Sequence, residues 1–155
     1  MSLTLKDTDR GYKALTNRVF GVAKSKPTIN VGVLDGDAPH GDDAISVLQI
    51  AIFNEFGTNN IPARSFIRAW FDENEAKLRE DLVKLMQSVV QGTRTKEQIL
   101  ELLGQRCVAE IQERISAGID PPNAASTVAK KGSSTPLVNE GLLRSAISYR
   151  VDEGG

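Results

Sequence analysis

The chain has 155 residues, 40% of them hydrophobic and 25% charged, and a formal net charge of −1 at pH 7. One soluble domain is the expectation at this length, burying roughly 68–70% of the surface of the unfolded chain. So even a charge balance supplies no global field to draw the protein onto DNA or an anionic membrane, and leaves only a local basic patch open. The single cysteine, Cys107, excludes an internal disulfide and suits a reducing cytosol. Charges enter too early in Met1–Asp7 for a secretory leader, and no apolar run reaches the ~20 residues that span a bilayer. The expectation is a cytosolic product.

Residues 7 to 23 predict a first helix, with Leu5, Tyr12, Leu15, Val19 and Val22 at three-to-four spacing. Gly21 weakens its end and Pro27 forces the chain out. Residues 28 to 34 alternate with β-branched residues and read as a strand. Gly, Pro and Asp crowd residues 35 to 43, a loop composition. Residues 44 to 56 fit both periods. Leu48, Ala51, Ile52 and Glu55 favour a helix, and Gly57 stands where its C-cap belongs.

A long helix is predicted from about Ser65, an acceptable N-cap, to Val90, with Trp70, Asn74, Leu78, Leu82, Leu85 and Val89 along one face. Gly92 ends it. Thr95 caps a further helix to Ala117, whose stripe is Ile99, Leu103, Cys107, Ile111 and Ile115. The two form an antiparallel αα-hairpin. Residues 120 to 136, rich in Ser, Thr, Ala and Lys, have little to bury and read as a mobile arm. A short helical turn follows between 137 and 145, with Asn139 its cap. Ile147, Tyr149 and Val151 then alternate as a last strand, whose natural partner is the strand at 28–34. The predicted class is α+β: a small antiparallel sheet packed with an N-terminal helix and a long αα-hairpin.

Residues for catalysis are lacking. His40, the one histidine, sits in a Pro-Gly-Asp loop beside Asp37, Asp42 and Asp43, and one imidazole is too few soft ligands for a transition-metal site. Asp35 and Asp37 lack the Gly and distal Glu of an EF-hand loop. Cys107 falls on an apolar helical stripe without a neighbouring base, so core packing explains it better than nucleophilic chemistry. Glu55 has no partner acid or electrophile for general-base work and reads as a solvent-facing or interface residue near a helix end. Lys130-Lys131-Gly132-Ser133-Ser134 lacks the order of a phosphate-binding loop. Two lysines without interleaved aromatics are a weak nucleic-acid signal. Trp70 and Phe71 read as core, although Trp, Phe and Arg also serve as interface anchors. The expectation is a non-enzyme with no cofactor and no metal.

The most distinctive stretch is Asn54-Glu55-Phe56-Gly57-Thr58 followed by Ile61-Pro62-Ala63-Arg64-Ser65-Phe66. Downstream come Ile115-Ser116-Ala117-Gly118, Pro121-Pro122-Asn123, Thr127, Lys130-Lys131-Gly132, Pro136-Leu137-Val138 and Gly141-Leu142-Leu143-Arg144-Ser145-Ala146-Ile147-Ser148-Tyr149-Arg150-Val151. In this order the chain resembles, over about residues 28 to 151, the virion-morphogenesis or tail-completion proteins of long-tailed bacteriophages. It departs at Asn139-Glu140-Gly141, where the family pattern has Asp/Asn-Thr-Gly.

The resemblance implies a structural protein that completes the tail or joins it to the head, within a small α+β fold working as a homo-oligomeric ring. The implied partners are other head–tail connector or tail proteins. The implied location is the host bacterial cytoplasm during assembly, then the head–tail interface or tail of the virion. Candidate interface residues are Glu55, Phe56, Arg64, Phe66, Lys130 and Lys131: the 57–66 connection as a docking element and 120–136 as an arm that folds on contact. A tail terminator, shaft component or transient assembly factor is the alternative. A nucleic-acid-binding regulator fits the near-zero net charge least.

Overall fold

The computed structural model describes residues 11–24, 27–34, 46–121 and 141–152. Their order is α1 (Tyr12–Lys24), β1 (Thr28–Val33), α2 (Val47–Phe56), α3 (Arg68–Gln91), α4 (Lys96–Ala117), α5 (Leu142–Ser145) and β2 (Ile147–Asp152). This is the expected α+β arrangement, with β1 and β2 paired antiparallel in a two-stranded sheet. The register runs from Thr28 opposite Asp152 to Val33 opposite Ile147. The Asn30 side-chain amide donates to Asp152 Oδ2 at 2.6 Å across that ladder. A two-stranded ribbon is marginal in water by itself. Here α4 covers one face of it, and the approach is so close that a Cβ at Gly104 would stand 2.2 Å from the Tyr149 ring. The Tyr149 hydroxyl, bonded to Glu101, completes this contact.

The αα-hairpin carries the core. All five residues of the predicted α4 stripe, Ile99, Leu103, Cys107, Ile111 and Ile115, are buried. Burial is the leading cause of a raised Cys107 thiol pKa, with Glu110 adding to it and Arg106 only partly opposing it. The larger cluster joins Cys107, Ile111 and Ile115 to Val47 and Ala51 of α2, Phe66 and Trp70 at the start of α3, and Leu143 and Ile147. A smaller one gathers Val89, Ile99 and Leu103. Arg114 clamps Glu73 with two bonds of 2.6 and 3.0 Å, and Arg106 pairs with Asp81, so each step forward on α3 is matched by an equal step back on α4. The Arg114 bond is the leading cause of the lowered Glu73 pKa, and the Arg106 bond of the lowered Asp81 pKa.

The hairpin turn is built as expected. The Gly92 N–H donates to the Ser88 and Val89 carbonyls. Thr95 Oγ1 accepts from Gln98 N–H at 3.3 Å, while the Gln98 side chain accepts from Thr95 N–H at 3.0 Å, a reciprocal capping box. Replacing Thr95 with Ala is expected to cost about 1 kcal/mol, read as a lower urea midpoint at unchanged slope.

Four expectations shift. Helix α1 forms and passes through Gly21, yet Tyr12, Leu15 and Val19 of its stripe are exposed rather than packed. Leu82 on α3 is also exposed. Helix α2 begins after Ser46, which forms a capping box with Gln49, and its buried stripe is Val47, Ala51 and Glu55 rather than Leu48 and Ile52. Helix α5 starts after Gly141, in a left-handed conformation without a side-chain cap. Asn139, the loop 35–43 with His40, Lys130, Lys131 and the stretch 122–136 lie outside the described residues.

Candidate functional site: the corner between α2 and α3

The Asn54–Phe66 stretch turns the chain from the end of α2 into α3, and each residue type in it has a local task. The helix ends with Gly57 N–H donating to the Phe53 carbonyl at 2.9 Å. Gly57 has φ 75° and ψ 175°, a region open essentially to glycine alone. Thr58 N–H then donates to the Ile61 carbonyl at 2.8 Å, and Thr58 Oγ1 accepts from the N–H groups of Asn60 and Ile61 at 3.3 and 3.1 Å. Arg64 N–H returns to the Asn54 carbonyl at 2.6 Å, closing the loop onto the helix it left.

Glu55 lies at the centre. Its side chain accepts from Ser65 Oγ at 2.6 Å, from the backbone N–H groups of Phe66, Ile67 and Arg68 at 2.9, 3.0 and 3.0 Å, and from Arg68 Nε at 3.1 Å. A helix N-terminus leaves several N–H groups without intrahelical partners and carries partial positive charge. Here a carboxylate from the preceding helix fills that place. The predicted cap, Ser65, contributes through its Oγ, which accepts from Ala69 N–H at 3.1 Å, while Ile67 holds the N-cap position without a side-chain bond.

Glu55 is therefore 5% exposed: of the solvent-facing or interface roles expected from sequence, the solvent-facing one does not hold in this fold. Burial pushes its pKa up, but the bonds from Ser65 Oγ and from the Ile67, Arg68 and Phe66 N–H groups together outweigh it and hold the carboxyl below its ordinary value. An anion in this setting is a structural strut. The described residues contain no cluster of three or more His, Cys, Asp or Glu side chains fit to hold a metal.

The other candidate interface residues divide. Arg64 is 6% exposed and reaches across the fold to donate from Nε to the Pro121 carbonyl at 2.6 Å, tying the corner to the chain just past α4. Phe66 is fully buried in the main core. Phe56 is 61% exposed, with the Arg68 guanidinium 4.6 Å above its ring. In this conformation the corner offers Phe56 and Arg68 outward, while Glu55, Arg64 and Phe66 serve the interior. Arg68 is the side-chain partner of Glu55 that sequence reading did not single out, and Ser65 was read as a helix cap rather than as a donor to Glu55.

No protein-family model, curated protein or solved structure matches the chain. None of its described helices is long and apolar enough to cross a membrane.

Proposed function

We propose that the chain is a structural component of a long-tailed bacteriophage or prophage particle, completing the tail or joining it to the head through protein–protein contacts as a ring. The observation that carries this reading is the ordered series of motifs beginning with Asn54–Phe66, which is similar to the tail-completion pattern. The corner those residues build supports it: Glu55, Thr58, Arg64 and Ser65 of the signature each have a structural task there. A ring subunit requires a rigid body that presents surfaces to neighbours, and a corner tied by Glu55 and Arg64 supplies such rigidity.

Negative-stain microscopy of lysates from a phage or prophage lacking this gene tests the role. Full heads beside separate tails of normal length are the expected result. Tails of irregular length would move the protein to termination or the shaft, and normal joined particles would remove it from morphogenesis.

A further inference from the structure

Helix α1 is loosely anchored. Tyr12 is 72% and Phe20 61% exposed, Leu15 and Val19 are exposed beside them, and none of the described α1 side chains is buried. No described side chain of α1 belongs to either core cluster. Propensity does not make up for this. A helix of 13 residues is marginal in water by itself, and this one carries Tyr, Thr, Asn, Val and Phe, middling helix formers, with Gly21 inside it. Its first turn holds no acidic residue to meet the partial positive charge of a helix N-terminus. The contrast is with α4, whose stripe from Ile99 to Ile115 is buried throughout.

One contact of α1 lies at the tip of the αα-hairpin, at the end of its neighbour α3. The Arg18 guanidinium stands over Gly92, so close that a Cβ there would lie 1.7 Å from Nη1. Arg18 Nε donates to the Ala14 carbonyl at 3.1 Å, which fixes the base of the guanidinium. Gly92 is the left-handed C-cap of α3, whose last turn contains no basic residue. A helix C-terminus carries partial negative charge and favours a cation beside it. Arg18 supplies one from another element, and the missing side chain at Gly92 gives it a seat.

We propose that α1 is a strap, latched to the hairpin tip by Arg18 over Gly92, that opens from the native chain while the hairpin, the sheet and the α2–α3 corner stay folded. Its tether is β1, paired with β2 from Thr28 to Val33. Opening takes no described side chain from either core cluster, and regions with few buried apolar contacts are those that open ahead of global unfolding. Once released, the helix is too short to hold its own hydrogen bonds. A cation at a helix C-terminus contributes little, so the docked and released states lie close in free energy. Any contact that covers the apolar stripe in one of them shifts the balance by its differential affinity. This device does not depend on the assembly role proposed above.

Hydrogen exchange of the full chain, read by mass spectrometry, tests the strap. Amides of residues 15–21 should show protection of about 10-fold, the value for an open state near 10%. Amides of 103–115 should be protected about 10³-fold or more, as set by global unfolding. Urea well below the unfolding midpoint should speed exchange in 103–115 and leave 15–21 unchanged, because a local opening exposes little surface. Arg18→Gln, matched in helix propensity, should raise exchange in 15–21 by about 2- to 5-fold and leave 103–115 as it was. Val19→Pro should keep the protection of 103–115 within about 10-fold of the parent's, against a loss of about 100-fold where a helix unfolds with the whole domain. Equal protection in 15–21 and 103–115, an Arg18→Gln variant that exchanges like the parent, or a proline variant with the larger loss would each overturn the proposal.

Discussion

Replacing Glu55 with Ala is expected to cost about 3–5 kcal/mol of folding stability, the range for breaking a buried charged network by removing one partner. The thermal midpoint should fall by about 6–20 °C for a chain of this size. The magnitude follows from what is left behind. The N–H groups of Phe66, Ile67 and Arg68 and the Ser65 hydroxyl all lose their acceptor at once, and Phe66 N–H is buried. Glu55→Gln should cost less, about 1–3 kcal/mol, because one oxygen still accepts while the amide NH₂ confronts a donor. Thermal and urea unfolding followed by circular dichroism would measure both. An alanine variant within about 1 kcal/mol of the parent would mean that water serves the start of α3 as well as the carboxylate does.

The same residue sets a pH signature. Its carboxyl pKa is lowered in the folded state from an ordinary value of 4.5. A group with a depressed folded pKa contributes stability above its unfolded pKa, and that contribution is lost as pH falls through the folded value. The parent should therefore lose its advantage over Glu55→Gln below about pH 4.5, so that the two stability curves converge in acid. Curves that stay parallel down to the acid limit would assign the stabilisation to the shape of the side chain rather than to its charge.

How legible this was depended on the element. The four-residue spacing of Ile99 through Ile115 announced α4 and its buried face, because one period fits only one side of a helix. The pairing of the two strands followed from their alternation, once residues 44 to 56 were read as a helix. Helix α2 was legible as a helix, but its burial was misread. Val47, Ala51 and Glu55 share a face, and placing the carboxylate on that stripe would have put it in the interior. Sequence reading sends an acid to solvent because burying a lone charge is expensive. The cost is met here by donors from Ser65 to Arg68, after a turn whose geometry is set by Gly57 and Thr58, and no helical period encodes that contact. The outward stripe of α1 was misread for a different reason: an amphipathic pattern shows that one face of a helix is apolar, without showing what packs on it.

Gly57→Ala should be the second severe change, costing about 2–6 kcal/mol from backbone strain plus overpacking. At φ 75° and ψ 175° an alanine is strained whatever its surroundings. Its Cβ would also stand 2.8 Å from Ala63 N and 2.9 Å from the Ile61 carbonyl oxygen, both backbone atoms that cannot swing aside. Relief requires opening the 57–64 turn, and opening it carries Ser65 and the start of α3 away from Glu55. The two substitutions therefore act on one corner. In a double-mutant cycle, Glu55→Gln combined with Gly57→Ala should cost less than the sum of the singles by about 0.5–3 kcal/mol, since an opened turn has already broken the bonds to the carboxylate. Additive costs would mean that the turn and the carboxylate hold α3 independently, and that the signature comprises two devices rather than one.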